Sequence, residues 1–521
     1  MFMQLKILPK AIGNRLLLTA QCLFVAVFCA LTIQIIIATG NFENIPISRF
    51  IIASGTVGLC LSIYIYIYIL TRKFRHHNII WHRTLWDGWL IFQYLLVWGI
   101  YSEAHADAWM IHSFCYSILH GTVESQGVLY LAQYPNNILL GYFSFLLQKA
   151  IPMESKADMW LLTTVVAALF ADLAIYWTLK LVTHLCGEQW YTITFFICCL
   201  MIGMSEEANL LYSDIVSLWT VPFAVYQLSC IENEDKIAWM RYILVGIAIG
   251  IGGAFKPQVF ILGIACCIAF VLQNLIYKVT SHQSVAILLF LIACLTTYQL
   301  LSDISRNWYY QYVPDEYKTA PQTYIDENEY PMLHWVNMGL NAEYGGHYNL
   351  DDCFFTSNVS GIASKNIQLK ASIQERLKKF GFIGYLRFVD QKVVCGLQNG
   401  AFSERDVSRE NCLNTTPLAE IIQYYFIPSC DGWLVGVSVY AQITYILCLF
   451  AVVCNAGKNI WKSQEKETPM VIQIAQITLL GDVLFLALFE RNTRYFYTVL
   501  PLLIMLAIVG IHTFIESRKN N

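Results

Sequence analysis

The segment LWDGWLIFQYLLVWGIY, residues 85–101, is followed after one serine by EAHADAWMIHSFCYSILHGTVESQGVLYLAQYPNN, residues 103–137. The first segment is apolar, and the second brings in acids, histidines, aromatic residues and a Pro-Asn-Asn turn. In a membrane protein, ionisable groups at the end of a span are a functional-site hypothesis by default. The two segments therefore predict a membrane helix that leads into a functional loop, with Asp107 at the centre of the site.

The rest of the chain has the composition of a membrane protein. Of its 521 residues, 57% are hydrophobic and 13% are charged, whereas a soluble domain has about 25% charged residues. The apolar residues form about twelve runs, judged against the roughly 20 residues that a transmembrane helix needs. The predicted spans are Leu16–Thr39, Phe50–Leu70, Leu85–Tyr101, Asp158–Leu181, Trp190–Met204, Ile215–Ile231, Tyr242–Ala254, Val259–Tyr277, Val285–Leu301, Trp433–Cys454, Met470–Leu488 and Tyr495–Phe514. The formal net charge of −3 gives no indication of nucleic-acid binding.

Basic residues orient these spans, because cytoplasmic loops carry an excess of lysine and arginine. Lys6, Lys10 and Arg15 precede the first span, and the most basic loop, RKFRHHNIIWHR at residues 72–83, follows the second. The first span lacks a clear cleavage site for a signal peptidase. We therefore expect both termini in the cytoplasm and Asp107 on the extracytoplasmic side of a plasma membrane.

The chain is predicted to be an all-α polytopic membrane protein with four regions. They are a two-span N-terminal addition (1–84), a transmembrane core (85–302) with an outer catalytic loop (102–157), an extracytoplasmic α-rich insert (303–431) and a three-span C-terminal segment (432–521). The insert is polar and lacks a spanning run. Within the outer loop, the apolar residues 138–152 are too few for a full crossing, which predicts a helix lying along the membrane surface.

Charged side chains are expected to converge on the outer face of the membrane. They are Asp107, Glu206, Glu207, Asp214, Lys256, Glu490, Arg491 and Arg494. Any one of them also fits a solvated loop, but several acids and bases on one face indicate a shared cleft. Arginine grips phosphate bidentately, lysine adds a point charge, and both stabilise a departing phosphate. A carboxylate opposite them can accept a proton from an attacking hydroxyl. The set therefore suits glycosyl transfer from a lipid-linked phosphate.

The order of these motifs resembles that of a known enzyme class. After the outer Asp107 come YPNN at 134–137, YSD at 212–214, Lys256-Pro257 and ERNTRY at 490–495. This order resembles the GT-C fold membrane glycosyltransferases, above all bacterial relatives of protein O-mannosyltransferases and lipid A aminoarabinose transferases in glycosyltransferase family 39. The likeness extends from about residue 85 to residue 514. It implies a GT-C-like fold, a bacterial cell and a hexosyl or related glycosyl transfer of enzyme class EC 2.4.

The resemblance also implies roles for individual residues. Asp107 matches the catalytic acid of the first outer loop. Many members carry a second acid beside it, where this chain has Ala108, so the nearby Glu103 and His105 stay open as alternatives. Asp214 matches an aspartate that orients the substrate or a metal. The Glu-Arg…Arg-Tyr hairpin matches the site of the donor phosphate. The implied substrate-binding set is Glu103, His105, Tyr134, Asn136, Asp214, Lys256, Glu490, Arg491, Arg494 and Tyr495.

The implied donor is a polyprenyl phosphate monosaccharide that arrives through the membrane lipid. The implied acceptor is a glycan, a teichoic acid, a glycolipid or a protein of the cell envelope. No metal site is predicted from the histidines, because His105, His112 and His120 lack the i, i+4 spacing of a helical zinc pair. A divalent cation near Asp214 is left open as a cofactor.

The main alternative is a transporter or flippase of lipid-linked sugars. It predicts ionisable residues deep within several spans and internal repeat symmetry. Only Asp172 and Asp482 lie deep within apolar spans, and the chain shows no repeat. A ligase with a pyrophosphate-linked donor is a second alternative. The polar insert also carries Cys353, Cys395, Cys412 and Cys430, which would allow one or two disulfides.

Overall fold

Every regular element in the described part of the chain is helical. The computed structural model describes residues 2–40, 64, 78–104, 106–231, 238–277, 281–400, 402, 411–426, 435–461 and 469–519. Two isolated bridges, Ser102 with Cys412 and His347 with Arg491, are the extended pairings found among these residues. The predicted all-α class is confirmed.

Eight of the described helices are long and apolar enough to cross a membrane. They are Lys10–Ala38, Lys156–Cys186, Ser213–Ile231, Pro257–Ile276, Ser284–Tyr309, Tyr440–Gly457, Met470–Leu488 and Leu500–Arg518. Each overlaps a predicted span, so the prediction of a multi-pass membrane protein is confirmed. The count of twelve is not, and it stays a prediction.

The remaining four predicted spans differ in their outcome. Most of Phe50–Leu70 lies outside the described residues. Leu85–Tyr101 falls within a helix of 23 residues, Asn78–Ile100, which contains four tryptophans and is not among the eight. Tyr242–Ala254 lies within an apolar helix of 18 residues.

The segment Trp190–Met204 is not one straight helix. A 3-10 turn at Glu188–Trp190 leads into an α-helix at Tyr191–Cys198, and a π-helical turn follows at Cys199–Gly203. Such π-turns are rare and are frequent at functional sites. This one ends just before the loop that leads to Asp214.

The helices of the membrane core are numbered here in chain order. They are α1 (Phe2–Gly40), α2 (Asn78–Ile100), α3 (Ala106–Leu119), α4 (Ser125–Gln133), α5 (Ile138–Ala150), α6 (Lys156–Cys186), α7 (Tyr191–Cys198), α8 (Ser213–Leu218), α9 (Thr220–Ile231), α10 (Ala238–Phe255), α11 (Phe260–Tyr277) and α12 (Ser281–Tyr309). Helix α1 packs against α11 and against the helix Val435–Trp461, so the first span lies against the core. Helix α5 packs against α3 and α12, and its position along a membrane surface stays a prediction.

The insert and the C-terminal segment continue the numbering. They contain α13 (Pro321–Asn328), α14 (Met332–Gly339), α15 (Leu350–Ser357), α16 (Ile362–Leu397), α17 (Pro417–Phe426), α18 (Val435–Trp461), α19 (Met470–Leu488), α20 (Arg494–Tyr497) and α21 (Leu500–Lys519). A carboxylate holds the insert together, because Asp352 accepts hydrogen bonds from Asn337, Asn341, Asn349 and Arg376. The described part of the insert, which was predicted to be α-rich, is helical.

The disulfides that the sequence would allow in the insert are not formed among its described cysteines. Cys353, Cys395 and Cys412 are not joined in a disulfide, and Cys430 lies outside the described residues. Cys353 and Cys412 are buried, where a thiol packs as a small apolar group.

Two glycines bring α10 and α12 into backbone contact. A Cβ added at Gly246 would collide with the Phe290 carbonyl oxygen, and one added at Gly250 would lie 2.6 Å from the Cys294 carbonyl oxygen. Small residues four apart allow this approach between membrane helices. The glycine-rich sequence of α10 is therefore a packing surface.

We expect Gly246→Ala to lower the stability of the protein, because the added methyl group would force α10 away from the α12 backbone. Overpacking of this kind costs about 1–3 kcal/mol. Thermal unfolding in detergent measures the effect.

The matched control is Gly457→Ala in α18, where an added Cβ meets nothing within 4 Å. This variant should hold or raise Tm, since alanine is favoured over glycine in a helix by up to about 1 kcal/mol. Equal falls in Tm for the two variants would contradict the packing role of Gly246.

Candidate functional site

Four charged side chains from distant parts of the chain meet at breaks between helices. Asp107 lies in the first turn of α3, Asp214 in the first turn of α8, Lys256 directly after α10, and Arg494 at the start of α20. The sequence explains one of these breaks. Pro257 follows α10, and the residue before a proline is restricted to extended conformations. Lys256 accordingly has φ −137° and ψ 100°.

Asp214 and Lys256 form a buried ion pair. The Lys256 Nζ lies 2.7 Å from Asp214 Oδ1, and the Asp214 side chain is fully buried while 10% of the Lys256 side chain is exposed. The ammonium also lies 4.5 Å from the centre of the Tyr495 ring, which adds a cation–π contact. The two opposite charges therefore compensate each other in a place that water does not reach.

Arg494 lies between the two acids without being bonded closely to either. Its guanidinium is 3.7 Å from Asp107 Oδ2 and 3.9 Å from Asp214 Oδ2, whereas charge-assisted hydrogen bonds are about 2.7–2.9 Å long. Its Nε has no hydrogen-bond partner among the described residues. The guanidinium faces the Tyr212 ring at 4.8 Å. Arg494 therefore keeps donor capacity for a ligand.

Asp107 is the exposed member of the cluster, with 31% of its side chain accessible. The Tyr212 hydroxyl donates to its Oδ2 at 3.0 Å. Burial and the negative charge of Asp107 both raise the pKa of Tyr212, so this phenol stays a hydrogen-bond donor. The Asp107 carboxylate is thus accessible to solvent, and its position is supported by the hydrogen bond from Tyr212 and the charge of Arg494.

The second asparagine of the YPNN turn is linked to the Asp107 carboxylate through the Tyr212 hydroxyl. Asn137 is buried, and its Nδ2 donates to the hydroxyls of Tyr130 at 2.8 Å and Tyr212 at 3.3 Å. The predicted Asn136 instead donates to Asn137 Oδ1 at 3.2 Å. Sequence reasoning thus missed Tyr130, Asn137 and Tyr212. Two of these could have been found, because Tyr212 belongs to the YSD motif and Asn137 to YPNN.

His112 fixes the position of Tyr212. It is fully buried in α3, and its Nε2 lies 2.8 Å from the carbonyl oxygen of Leu211 while its Nδ1 lies 2.8 Å from Ser144 Oγ. Burial lowers the pKa of His112 to about 4, so the ring is neutral and donates from Nε2. The histidine therefore ties α3 and α5 to the residue before Tyr212.

The backbone next to Asp107 is strained. Ala106 has φ +48°, in the left-handed region that costs a residue with a Cβ about 1–2 kcal/mol. Such residues persist where the surroundings enforce them, and they cluster at functional sites. The strain supports a functional role for the start of α3.

Several predicted site residues lie away from the cluster. The Glu103 carboxylate accepts a hydrogen bond from Trp109 Nε1 at 2.7 Å. His105 lies outside the described residues. Tyr134 packs against Tyr330 and Trp335 of the insert.

The Glu490–Tyr495 hairpin divides its side chains between two surroundings. Tyr495 faces Lys256, and burial together with the charge of Glu490 raises its pKa. Arg491 turns the other way. Its backbone N–H donates to the Gly346 carbonyl oxygen at 2.7 Å, and its side chain lies beside Gly396 of the insert. The structure therefore brings together Asp107, Asp214, Lys256, Arg494 and Tyr495, but it does not place Arg491 in an ion pair with them.

Lys392 holds this hairpin from the insert. Its side chain is buried, and its Nζ donates to the carbonyl oxygens of Gly339 at 2.8 Å and Phe489 at 2.9 Å. Gly339 ends α14 and Phe489 follows α19, and the carbonyls at helix C-termini attract cations. Burial, assisted by the positive charge of Arg491, lowers the pKa of Lys392 to about 7. The insert is thus fastened to the chain just before Arg494.

The two acids within the spans have partners on neighbouring helices. Asp172 accepts a hydrogen bond from Trp89 Nε1 at 2.8 Å, and Asp482 accepts one from Gln258. Gln258 also donates to the Tyr495 carbonyl oxygen at 3.0 Å. Asp482 therefore helps to position Gln258, which in turn contacts the backbone of Tyr495 in the cluster.

A ligand set for a metal ion is not found here. Within the part of the chain that the structure describes, no three histidine, cysteine, aspartate or glutamate side chains could hold a metal together. The two aspartates of the site face Lys256 and Arg494. A divalent cation at Asp214 stays a prediction.

Comparison with protein-family models identifies a family that covers most of the chain. A family model described as "conserved hypothetical integral membrane protein" matches residues 11–514. This range includes all the residues of the cluster. No curated protein matches the chain.

We expect Lys256→Met to destabilise the protein strongly, because it leaves the buried Asp214 carboxylate without its close partner. Breaking a buried ion pair from one side costs about 3–5 kcal/mol. The measurement is Tm in detergent. The double variant Lys256→Met/Asp214→Asn should recover much of the loss, since it removes both charges.

Lys379→Met is the matched control, because Lys379 lies 2.8 Å from Glu375 with both side chains largely exposed. Exposed pairs contribute little to stability, so its Tm should stay close to that of the wild type. A Tm for Lys256→Met as high as that of this control would show that the buried pair is dispensable.

Lys392 should make stability depend on pH. Its pKa of about 7 in the folded protein lies below the ordinary 10.5, so between these values the unfolded chain binds more protons and stability rises with pH. Below pH 7 the cost of burying the charge is fully present. Wild type should therefore gain Tm relative to Lys392→Met as the pH rises from 7 to 10. A difference that does not change with pH would contradict this.

Proposed function

The chain belongs to the conserved hypothetical integral membrane protein family, and within it we propose that this protein is a glycosyltransferase. It would move a monosaccharide from a polyprenyl phosphate carrier to an acceptor of the cell envelope on the extracytoplasmic side. The proposal includes a GT-C-like arrangement of about twelve spans in a bacterial plasma membrane, with both termini in the cytoplasm.

The observation that carries the proposal is the accessible Asp107 carboxylate beside a loosely held arginine. Asp107 is 31% exposed, and the Arg494 guanidinium lies 3.7 Å from it. A hydroxyl that displaces a phosphate from a sugar with inversion needs a general base on the acceptor side and a cation on the side of the leaving phosphate. The cluster offers one group of each kind at the same site.

The reaction then needs one base and one anion site. The acceptor oxygen attacks the anomeric carbon and forms the new glycosidic bond, while its proton passes to Asp107. The bond between the anomeric carbon and the phosphate oxygen breaks, and polyprenyl phosphate leaves with the electron pair. Attack from the side opposite the phosphate inverts the anomeric configuration. Arg494 is the residue proposed to stabilise the negative charge on the leaving phosphate.

The buried pair has a supporting role in this scheme. Lys256 lies 2.7 Å from Asp214, so its charge is already compensated and it is less suited to hold a phosphate than the sequence suggested. Asp214 in turn faces Arg494 at 3.9 Å. We therefore propose that Lys256 and Asp214 position Arg494, and that Arg491, which lies toward the insert, contacts a more distant part of the donor.

Transport of lipid-linked sugars remains the alternative function. It would use ionisable groups along a path through the membrane. Asp172 and Asp482 lie within spans, but both are hydrogen-bonded to neighbouring helices. Asp107, the accessible acid of the cluster, lies in the first turn of α3, outside the candidate spans, and this favours an enzyme.

We expect Asp107→Asn to abolish the release of free polyprenyl phosphate from a polyprenyl phosphate sugar. Loss of a general base lowers rates by about 10²–10⁴-fold, and asparagine keeps the size of the side chain. The measurement uses purified protein in detergent with a panel of donor sugars, together with Tm to verify folding.

Glu124→Gln is the matched control, because it removes a carboxylate of the same outer loop that already accepts a hydrogen bond from the Ser117 hydroxyl. It should release polyprenyl phosphate at close to the wild-type rate. Near-normal release by Asp107→Asn would remove Asp107 from the proposed role. Lack of binding of any polyprenyl phosphate sugar by the wild type would contradict both the transferase and the transporter of lipid-linked sugars.

A further inference from the structure

The second half of α16 exposes large apolar side chains although it belongs to the polar insert. Phe382 is 78% exposed, Ile383 is 65% exposed and Leu386 is 51% exposed. They lie within the sequence FGFIGYLRF at residues 380–388. Contiguous exposed apolar residues indicate a surface that contacts another partner. We call residues 380–388 the apolar segment.

A backbone kink aims this segment in its own direction. Gly381 has φ +61° and ψ 174° within α16, a combination that is essentially restricted to glycine. An added Cβ at this position would meet nothing within 4 Å, so the glycine serves the turn and not close packing. The helix therefore changes direction where the exposed apolar residues begin.

The apolar segment lies beside the end of a membrane span. The Gln34 Nε2 of α1 donates to both carboxylate oxygens of Asp390, at 3.0 and 3.2 Å. Gln34 is four residues from the end of the candidate span Lys10–Ala38, and its neighbours Ile33 and Ile37 are exposed. These isoleucines belong to the surface that a spanning helix presents to lipid. The exposed apolar residues of the insert thus continue a lipid-facing surface.

A second helix of the insert repeats this arrangement. Gln423 of α17 donates to the carbonyl oxygen of Gly99 at the end of α2, at 2.9 Å. On its other face Leu418 and Ile421 are more than half exposed. Two helices of the insert, α16 and α17, therefore contact the ends of α1 and α2 through polar side chains and leave apolar side chains exposed beside those contacts.

We infer that the apolar segment of α16 is embedded in the outer leaflet of the bilayer, where Phe382, Ile383 and Leu386 contact lipid acyl chains. The exposed cations Lys378 and Arg387 flank these residues. Long basic side chains next to buried apolar residues extend to the lipid phosphates. The occupant of this surface is thus the membrane itself, and α17 contacts it in the same way.

Photo-crosslinking in lipid nanodiscs tests this inference. Benzoylphenylalanine replaces Phe382 in one protein and Ile367 in another, since Ile367 is 73% exposed on the first half of the same helix. The full-length proteins are placed in phosphatidylcholine and phosphatidylglycerol nanodiscs, irradiated and analysed by mass spectrometry. We expect phospholipid adducts on the peptide containing position 382 and at least tenfold fewer at position 367. Both positions are exposed, so neither substitution should disturb folding, and size-exclusion chromatography verifies it.

Equal adduct yields at the two positions would overturn the inference, because they would indicate non-specific labelling. Crosslinks from position 382 to other residues of the protein without lipid adducts would overturn it as well. The outcome does not depend on the proposed enzyme activity, since the readout is lipid contact.

Discussion

The ion pair between Asp214 and Lys256 is the contact on which the site depends. A fully buried carboxylate is tolerated only when an opposite charge lies close to it, and the 2.7 Å contact meets this condition. The pair joins the start of α8 to the end of α10. Arg494 and Tyr495 are arranged around it, so the geometry near Asp107 depends on this buried contact.

Around this pair, the residues that support the site are buried, whereas Asp107 is exposed. Asp214, His112 and Asn137 are buried and make defined contacts with neighbouring elements, while Asp107 is open to solvent. Tyr212 connects the two sets, since it receives a hydrogen bond from Asn137 and donates one to Asp107. A site of this kind holds its reactive group in one orientation because its supports lie on helices. The insert contributes through Lys392, which binds the chain just before Arg494.

Much of the architecture could be predicted because long apolar runs have few alternatives to a helix in a membrane. The length and hydrophobicity of a run do not show where the helix within it is interrupted, and for this reason the π-turn at Cys199–Gly203 was missed. For the site, charge placement identified Asp107, Asp214, Lys256 and Arg494 as residues on one face. Which acid meets which base depends on the packing of distant helices, so the exclusion of Arg491 and the links made by Asn137 could not be derived from spacing alone.

The close approach of α10 and α12 has a mechanical consequence. With Gly246 and Gly250 set against the backbone of α12, the two helices cannot slide past each other without a steric clash, and they act as a single rod. One end of this rod carries Lys256. Helix α12 ends at Tyr309, whose hydroxyl donates to the Val128 carbonyl oxygen at 2.7 Å. A displacement of α12 at the start of the insert would therefore move α10 with it and shift the buried lysine.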